Sequence, residues 1–509
     1  MKVLVLIIKS TNEKNYILRL IISIPVIGLA FISCSNEGNN LNSNVKKSEF
    51  VTIKENKFYC DNKEFYPLVI NYKADLISDG NSYWIGPHAA YYKNKEAISY
   101  NRDSCLMYIK NDFKWIKELG YNAIRLVGSP TEPAIDYSNG SVYYYATGKD
   151  NKSYNLFLDD SKIMLLYQAI DEIISIADQN DLKLILLTPI NTKYNKTEAC
   201  FEKFATHYKD RPAIMAYDLY NEPLYFDTLL REKKEVYEIV KHWQDIKNKY
   251  APNQLSTIGM TGVREVLEWD PNLMSVDFLS FHPYEYEPNQ VLSEIYWYGK
   301  YVKIPWMIGE TGVPADDDSV KYNIQTLFAE KTLLQTFNCG GLGYSWWQFK
   351  DVQWLDFHQD YLGVINQNGI TKLKDQTIVE GTAKPMNAVI ETFNPSKVTR
   401  DCYLPENYYN YSRHKYFKLT GKIADESGKP IEGGIILGWS EDWRFSYHTV
   451  SKSDGSFELF SNFPLFHWRL SATMYDRLSG DIVPDLNQKD KQGTINTSIG
   501  VLTLKKIEL

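Results

Sequence analysis

AIMAYDLYNEP (residues 213–223) and IPWMIGETG (304–312) are each a short, nearly apolar run that ends on a glutamate. Pro223 follows Glu222 directly, so the extended run stops at the carboxylate, because proline removes a ladder donor and biases the residue before it away from helix. Glu222 and Glu310 stand 310 − 222 = 88 residues apart, which is three strand–helix units at roughly 30 residues per unit. Two glutamates at strand ends, three units apart, predict an alternating α/β architecture with a parallel sheet.

Working outward, the same kind of run recurs at 66–71 (YPLVIN), 122–127 (NAIRLV), 183–188 (KLILLT), 255–260 (LSTIGM), 276–282 (VDFLSFH) and 341–347 (GLGYSWW). With the first two stretches this makes eight candidate strands, and Glu222 and Glu310 close the fourth and seventh. Segments of helical periodicity fill the gaps, for example 162–179, 229–250 and 320–337. The expected fold class is therefore α/β, a (β/α)8 TIM barrel over residues 50–395, opened by a hairpin at 51–66 that turns at Asp61-Asn62. A doubly wound sheet would need a Gly-rich loop after its first strand, and none is present. The connections 73–111 and 128–160 are long and rich in Tyr and Trp. Loops that follow barrel strands lie on the active face, so these two are expected to wall a substrate cleft; packing on their own aromatics is the competing reading.

Composition sets the outer limits. The 509 residues carry 56 Lys+Arg and 63 Asp+Glu, a net charge of −7, and 44% hydrophobic residues. This is globular composition with no basic run, so nucleic acid is not an expected partner. Aromatic residues reach 14%, and exposed Tyr and Trp faces suit sugar rings. The eight His are scattered and no CxxC pair occurs, so no metal site and no cofactor are expected.

Two carboxylic acids facing one bond suit glycoside cleavage. One protonates the leaving oxygen, and the other meets the cationic sugar centre. A gap of about 5–5.5 Å gives retention and a wider one inversion, and sequence leaves the gap open. On these residues the barrel resembles the clan A glycoside hydrolases, most closely family 5, the cellulase and mannanase family. The resemblance implies Glu222 of Asn221-Glu222-Pro223 as acid/base and Glu310 as nucleophile. It further implies Arg125 in NAIRLV, His282 and Tyr284 in SFHPYEY, and Trp347 in GYSWWQFKD, with Trp346 as the alternative, as substrate-site residues beside Asn221. The family usually has a His at the end of strand three; here LILLTPINTKYN has none, and Asn191 can fill the space.

At the N-terminus, Lys2, Lys9, Lys14 and Arg19 precede an apolar stretch that ends Phe31-Ile32-Ser33-Cys34. This resembles a bacterial lipoprotein signal (1–33), with Cys34 lipidated, a polar tether over 34–49, and an exported outer-membrane or cell-surface location. A Tyr-rich linker at 396–414 leads into 415–509, where short alternating strands and the turns DESGKP and KSDGS predict a small all-β sandwich. That module resembles the carboxypeptidase regulatory-like domain. The whole reads as a monomeric, membrane-anchored, retaining glycoside hydrolase whose partner is a β-linked mannan- or glucan-type glycan. A surface glycan-binding lipoprotein without turnover, and a transglycosylase on the same barrel, are the alternatives.

Overall fold

The computed structural model describes residues 49–509 except 94–100, 137, 149–151, 159–160, 191–194, 228–230, 353–355, 411, 414–415, 440–445, 463–468 and 481–494. The signal segment, Cys34 and nearly all of the tether lie outside the described residues, as does Asn191. Residues 48–509 form one compact unit.

Eight parallel strands organise that unit: β1 (Leu68–Ser78), β2 (Ala123–Val127), β3 (Lys183–Leu187), β4 (Ile214–Asn221), β5 (Leu255–Met260), β6 (Leu279–Phe281), β7 (Trp306–Ile308) and β8 (Tyr344–Trp346). Their order in the sheet is β7-β6-β5-β4-β3-β2-β1, and β8 pairs in parallel with β1. The N–H of Ile308 bonds Gly343 O at 3.2 Å and that of Leu342 bonds Trp306 O at 2.8 Å, linking β7 to the entry of β8. This pattern fits a (β/α)8 barrel. Strands such as β2 and β3 are buried at every position, as parallel strands covered on both faces must be.

Between the strands run α1 (Arg102–Glu118), α2 (Ile163–Gln179), α3 (Asn195–Tyr208), α4 (Lys233–Tyr250), α5 (Gln290–Tyr301) and α6 (Tyr322–Asn338). The helix α2 shows why: Leu166, Ile170, Ile173, Ile174 and Ala177 recur at three- and four-residue steps and are all buried. The α1 helix starts where the Asn101 side chain accepts from Ser104 N. Behind β4, Tyr220 stacks on Trp243 of α4 at 5.8 Å, and Trp243 on Trp269 at 6.2 Å, so the strand bearing Glu222 is backed by a rigid aromatic layer. A three-stranded meander over 52–65 closes the opposite end. Its Phe58 packs edge-on to Phe278 at 5.2 Å, in a cluster with Val69, Ile185, Met215 and Met307 from the strand beginnings. Asp61 and Asn62 take positive φ at its second turn, at the expected place.

The long connections differ from the expectation. The strand β1 continues to Ser78, because Ala74–Ser78 pairs antiparallel with Tyr83–Pro87. Trp84, Tyr91, Tyr92 and Tyr144 are buried, and Tyr92 donates to Asp112 at 2.6 Å. These loops therefore pack largely on their own aromatics. Alternation along a paired strand decides which ring points inward, and a ring count carries no such information.

The C-terminal region forms a seven-stranded sheet of β9 (Phe417–Asp425), β10 (Ile435–Trp439), β11 (Ser446–Val450), β12 (Ser456–Ser461), β13 (Arg469–Met474), β14 (Arg477–Leu478) and β15 (Ile495–Lys506). Gly428 and Gly455 supply the positive φ that the turns of DESGKP and KSDGS require. The sheet is packed onto the strand–helix region. Lys233 of α4 reaches Asp270 and the Tyr475 carbonyl, both at 2.7 Å, and Trp297 of α5 donates to Gly433 O at 2.8 Å. A disulfide joins Cys339, after α6, to Cys402 in the linker.

Candidate active site

The C-terminal ends of the strands bring the named residues together. Glu222 follows β4, His282 follows β6, Glu310 stands two residues beyond β7, and Trp347 follows β8. Arg125 projects from the middle of β2. Glu222 takes a left-handed backbone conformation (φ 47°), a form that costs a non-glycine residue about 1–2 kcal/mol. It is held there by its N–H on Gly259 O at 2.7 Å and by a short helical turn, Pro223–Phe226, whose Tyr225 N–H returns to Glu222 O at 2.9 Å.

Arg125 is the hub. Its Nε donates to Asp218 Oδ2 at 2.9 Å, Nη1 to Asn71 Oδ1 at 3.0 Å and to Glu310 Oε1, and Nη2 to Asn221 Oδ1 at 2.8 Å. Tyr284 donates its phenol to Glu310 Oε2 at 3.0 Å. Burial, and then the Glu310 charge, push that phenol well above its ordinary range, so it remains a donor. Asn71 turns its amide N–H groups to Gly309 O, Ser345 Oγ and Trp346 O at 2.9–3.1 Å, tying β1 to the strand carrying the nucleophile candidate and to β8.

His282 stands between the carboxyls, its Nδ1 at 3.1 Å from Glu222 Oε1 and 3.6 Å from Glu310 Oε1. Burial lowers its pKa to about 4, so the ring is neutral near pH 7. Its Nε2 is buried without a hydrogen-bond partner. The tautomer that leaves a bare acceptor there, with the proton on Nδ1 facing Glu222, is the less costly one. Gly259 and Gly309 make room for the ring: a Cβ would lie 2.5 Å from His282 Cε1 on the first and 2.8 Å from Nε2 on the second.

The two carboxyls are set apart electrostatically. Burial pushes Glu222 up to about 7, with Arg125 and Arg264 pulling only weakly against it. Burial also raises Glu310, against Arg125 and the Tyr284 hydrogen bond. The neutral His282 adds little positive charge at pH 7. With Arg125 bonded directly to Glu310, the one negative charge the pair can hold rests on Glu310, and Glu222 keeps its proton.

One oxygen of each glutamate and a nitrogen of His282 lie within 4.8 Å of one another, a set that could bind a cation. The guanidinium on Glu310 opposes that use. Trp346 is fully buried, its indole on Leu362 O at 2.8 Å. It belongs to the core, and its neighbour Trp347 is half-buried. Three participants escaped sequence reading: Asn71, Asp218 and Glu265. Asn71 and Asp218 each interrupt an apolar run (YPLVIN, AIMAYDLY), which is the signal that was available; Glu265 lies between Arg264 and Glu268 in VREVLEW, where nothing in the sequence sets it apart. Glu265 accepts from Leu224 N at 2.7 Å and Thr261 N at 2.6 Å, clamping the turn beyond Glu222 to the loop after β5. Burial raises it to about 8.

Residues 100–353 match the model of the cellulase family, glycosyl hydrolase family 5, and this supports an O-glycosyl hydrolase acting on carbohydrate. No curated protein matches by sequence. Among solved structures, the endo-1,4-β-mannanase of Rhizomucor miehei is 16% identical over 59% of this chain and 91% of its own, with a TM-score of 0.40. The β-D-glucuronidase of Dictyoglomus thermophilum is 13% identical over 69% of this chain and 54% of its own, with a TM-score of 0.43. β-Glucuronidase 2 of Bacteroides uniformis is 11% identical over 87% and 47%, with a TM-score of 0.44. The chain thus spans about half the length of these glucuronidases.

Proposed function

We propose that this chain is a retaining glycoside hydrolase of β-linked glycans, mannan- or glucan-type, with Glu222 as acid/base and Glu310 as nucleophile. The observation that carries this reading is the meeting of two unlike carboxyls at His282. One is buried and holds its proton to about pH 7; the other is bonded to a guanidinium and a phenol. Their nearest oxygens, within 4.8 Å, suit direct attack, whereas inversion needs room for a water at about 6.5–9.5 Å.

The chemistry follows from that asymmetry. Glu222 gives its proton to the glycosidic oxygen as the Glu310 carboxylate attacks the anomeric carbon; the bond to the leaving sugar breaks and a glycosyl ester forms. Esterification removes the Glu310 charge that held Glu222 protonated, so Glu222 can take a proton from water. That water attacks the anomeric carbon and frees Glu310. With its Oδ1 fixed on Arg125, Asn221 has its NH2 left for the sugar 2-OH. Trp347 offers a face to the ring. The export reading goes with this one: a lipid anchor on Cys34 at an outer membrane or cell surface, and a carboxypeptidase regulatory-like module at the C-terminus.

The test is to incubate the chain, beside Glu310→Ala, with β-mannans, β-glucans, xylans and host-type glycans, and to follow the first product by NMR. Release of a β-anomer, lost in the variant, is expected. A first-formed α-anomer would refute retention. Tight binding without release by either protein would leave a lectin-like barrel. Products longer than the substrate would mark transglycosylation.

A further inference from the structure

Arg264 lies in the turn Val263–Leu267 beyond β5, next to Glu265. Its Nη2 donates to the Tyr225 hydroxyl at 2.7 Å, and Nη1 approaches Ser446 Oγ of the C-terminal sheet at 3.4 Å. The guanidinium carbon stands 5.8 Å from the ring centres of both Tyr225 and Tyr286. Among the described residues this half-buried cation forms no ion pair. Glu294 and Glu222 are near enough to act on its charge, but neither bonds it: Glu294 takes the Gln290 amide and the Tyr298 hydroxyl, both at 2.8 Å, and Glu222 faces His282. A guanidinium cannot shed its charge, and holding it half out of water with no directly bonded carboxylate among the described residues is costly. Two of its five N–H donors are used, both by neutral oxygens, so the fork is left for an anion.

The surroundings identify what kind of anion. Tyr225 and Tyr286 are 53% and 59% exposed and present flat faces of the sort that stack on sugar rings. Tyr225 stands three residues beyond Glu222, and Tyr286 two beyond Tyr284, so the cluster sits past the ends of β4, β5 and β6. Glu310, Arg125 and Trp347 come from β7, β2 and β8. The acid faces the oxygen of the departing sugar, while the nucleophile and Trp347 hold the sugar that stays. Resting on the hydrolase reading above, we propose that Arg264, Tyr225 and Tyr286 form a leaving-group subsite for a sugar that carries an anionic substituent, a uronic acid carboxylate or a sulfate ester. The chain carries a net charge of −7, so attraction of such a sugar is local to this fork. Ser446 makes the C-terminal sheet one wall of the subsite.

The test uses the full chain carrying Glu310→Ala, titrated calorimetrically at low salt with cellotriose, a galacturonic acid trisaccharide and a sulfated disaccharide. At least one anionic sugar is expected to bind about tenfold or more tightly than the neutral one, the worth of a charge-assisted contact, and added salt should erode that preference. The two anionic arms tell carboxylate from sulfate. Adding Arg264→Gln should bring the ratio to within about twofold, while Arg264→Lys, which keeps the charge and loses the fork, should keep only part of it. Equal binding of neutral and both anionic sugars by the parent overturns the proposal. So does a preference that survives Arg264→Gln in a protein of near-parental melting temperature; where that variant does not fold, a reduced preference in Arg264→Lys decides in its favour and an undiminished one against it. Hydrolysis is read separately with Glu310 intact. An Arg264-dependent preference without hydrolysis would sink the hydrolase reading and leave an anion site. Hydrolysis without the preference would do the reverse.

Discussion

Replacing Glu222 by Gln should stabilise the folded protein, and only above the acid range. The carboxyl is raised from its ordinary 4.5 to about 7 by burial. A folded-state pKa above the unfolded one means that the group favours folding below pH 4.5 and that this contribution is lost as pH rises through about 7. The difference of about 2.5 pH units corresponds to about 3 kcal/mol at most. Gln fills nearly the same volume and never ionises, so it escapes the loss. Unfolding entropies near 2 cal/mol/K per residue give a chain of this size about 1 °C per kcal/mol. The melting temperature of Glu222→Gln minus that of the parent should therefore widen by about 3 °C between pH 4.5 and pH 8.5. Other raised carboxyls, such as Glu265 and Asp351, are common to both proteins and largely cancel in the difference. Melts at constant ionic strength, followed by circular dichroism, make the measurement. A gap that stays flat or narrows with pH would refute a buried, protonated Glu222.

In the proposed mechanism the same group sets the rate. The alkaline limb of kcat/KM should fall near pH 7 as Glu222 loses its proton, and Glu222→Gln should lower kcat about 10²–10⁴-fold on alkyl glycosides, with far less effect on an activated aryl glycoside. Comparing the two substrate types checks this. Arg125→Met strands Asp218 and Glu310 without their shared cation and should cost about 3–5 kcal/mol, read by chemical denaturation. Cys402→Ser opens a covalent loop of 63 residues and should cost about 4 kcal/mol by loop-closure entropy, read as a lower denaturation midpoint under non-reducing conditions.

Much of the fold was legible because strand signals are local. All eight runs named from sequence coincide with observed strands, and the second, third and fifth differ by at most one residue at either end. The spacing of Glu222 and Glu310 was legible because strand–helix units repeat. What escaped was orientation and partnership. Trp346 and Trp347 are neighbours with opposite fates, since successive strand residues face opposite sides, and no run of two tryptophans says which is which. Asn71, Asp218 and Glu265 earn their places from partners far along the chain. The aromatic loops misled because Tyr144 and Tyr145, adjacent in SVYYYATG, are respectively buried and exposed.

The bonds around Arg125 and Asn71 have a consequence for how activity should be interpreted. They join positions 54, 93, 185 and 275 residues apart, and Asn71 on the first strand touches the last. No contiguous fragment short of residue 346 contains the full set. On the proposed function, turnover would report on completion of the sheet: a chain arrested before its final strand, or paired in the wrong register, would be catalytically silent even with both glutamates present. Hydrolysis in a culture fraction would then count completed folds, where an antibody would count polypeptide.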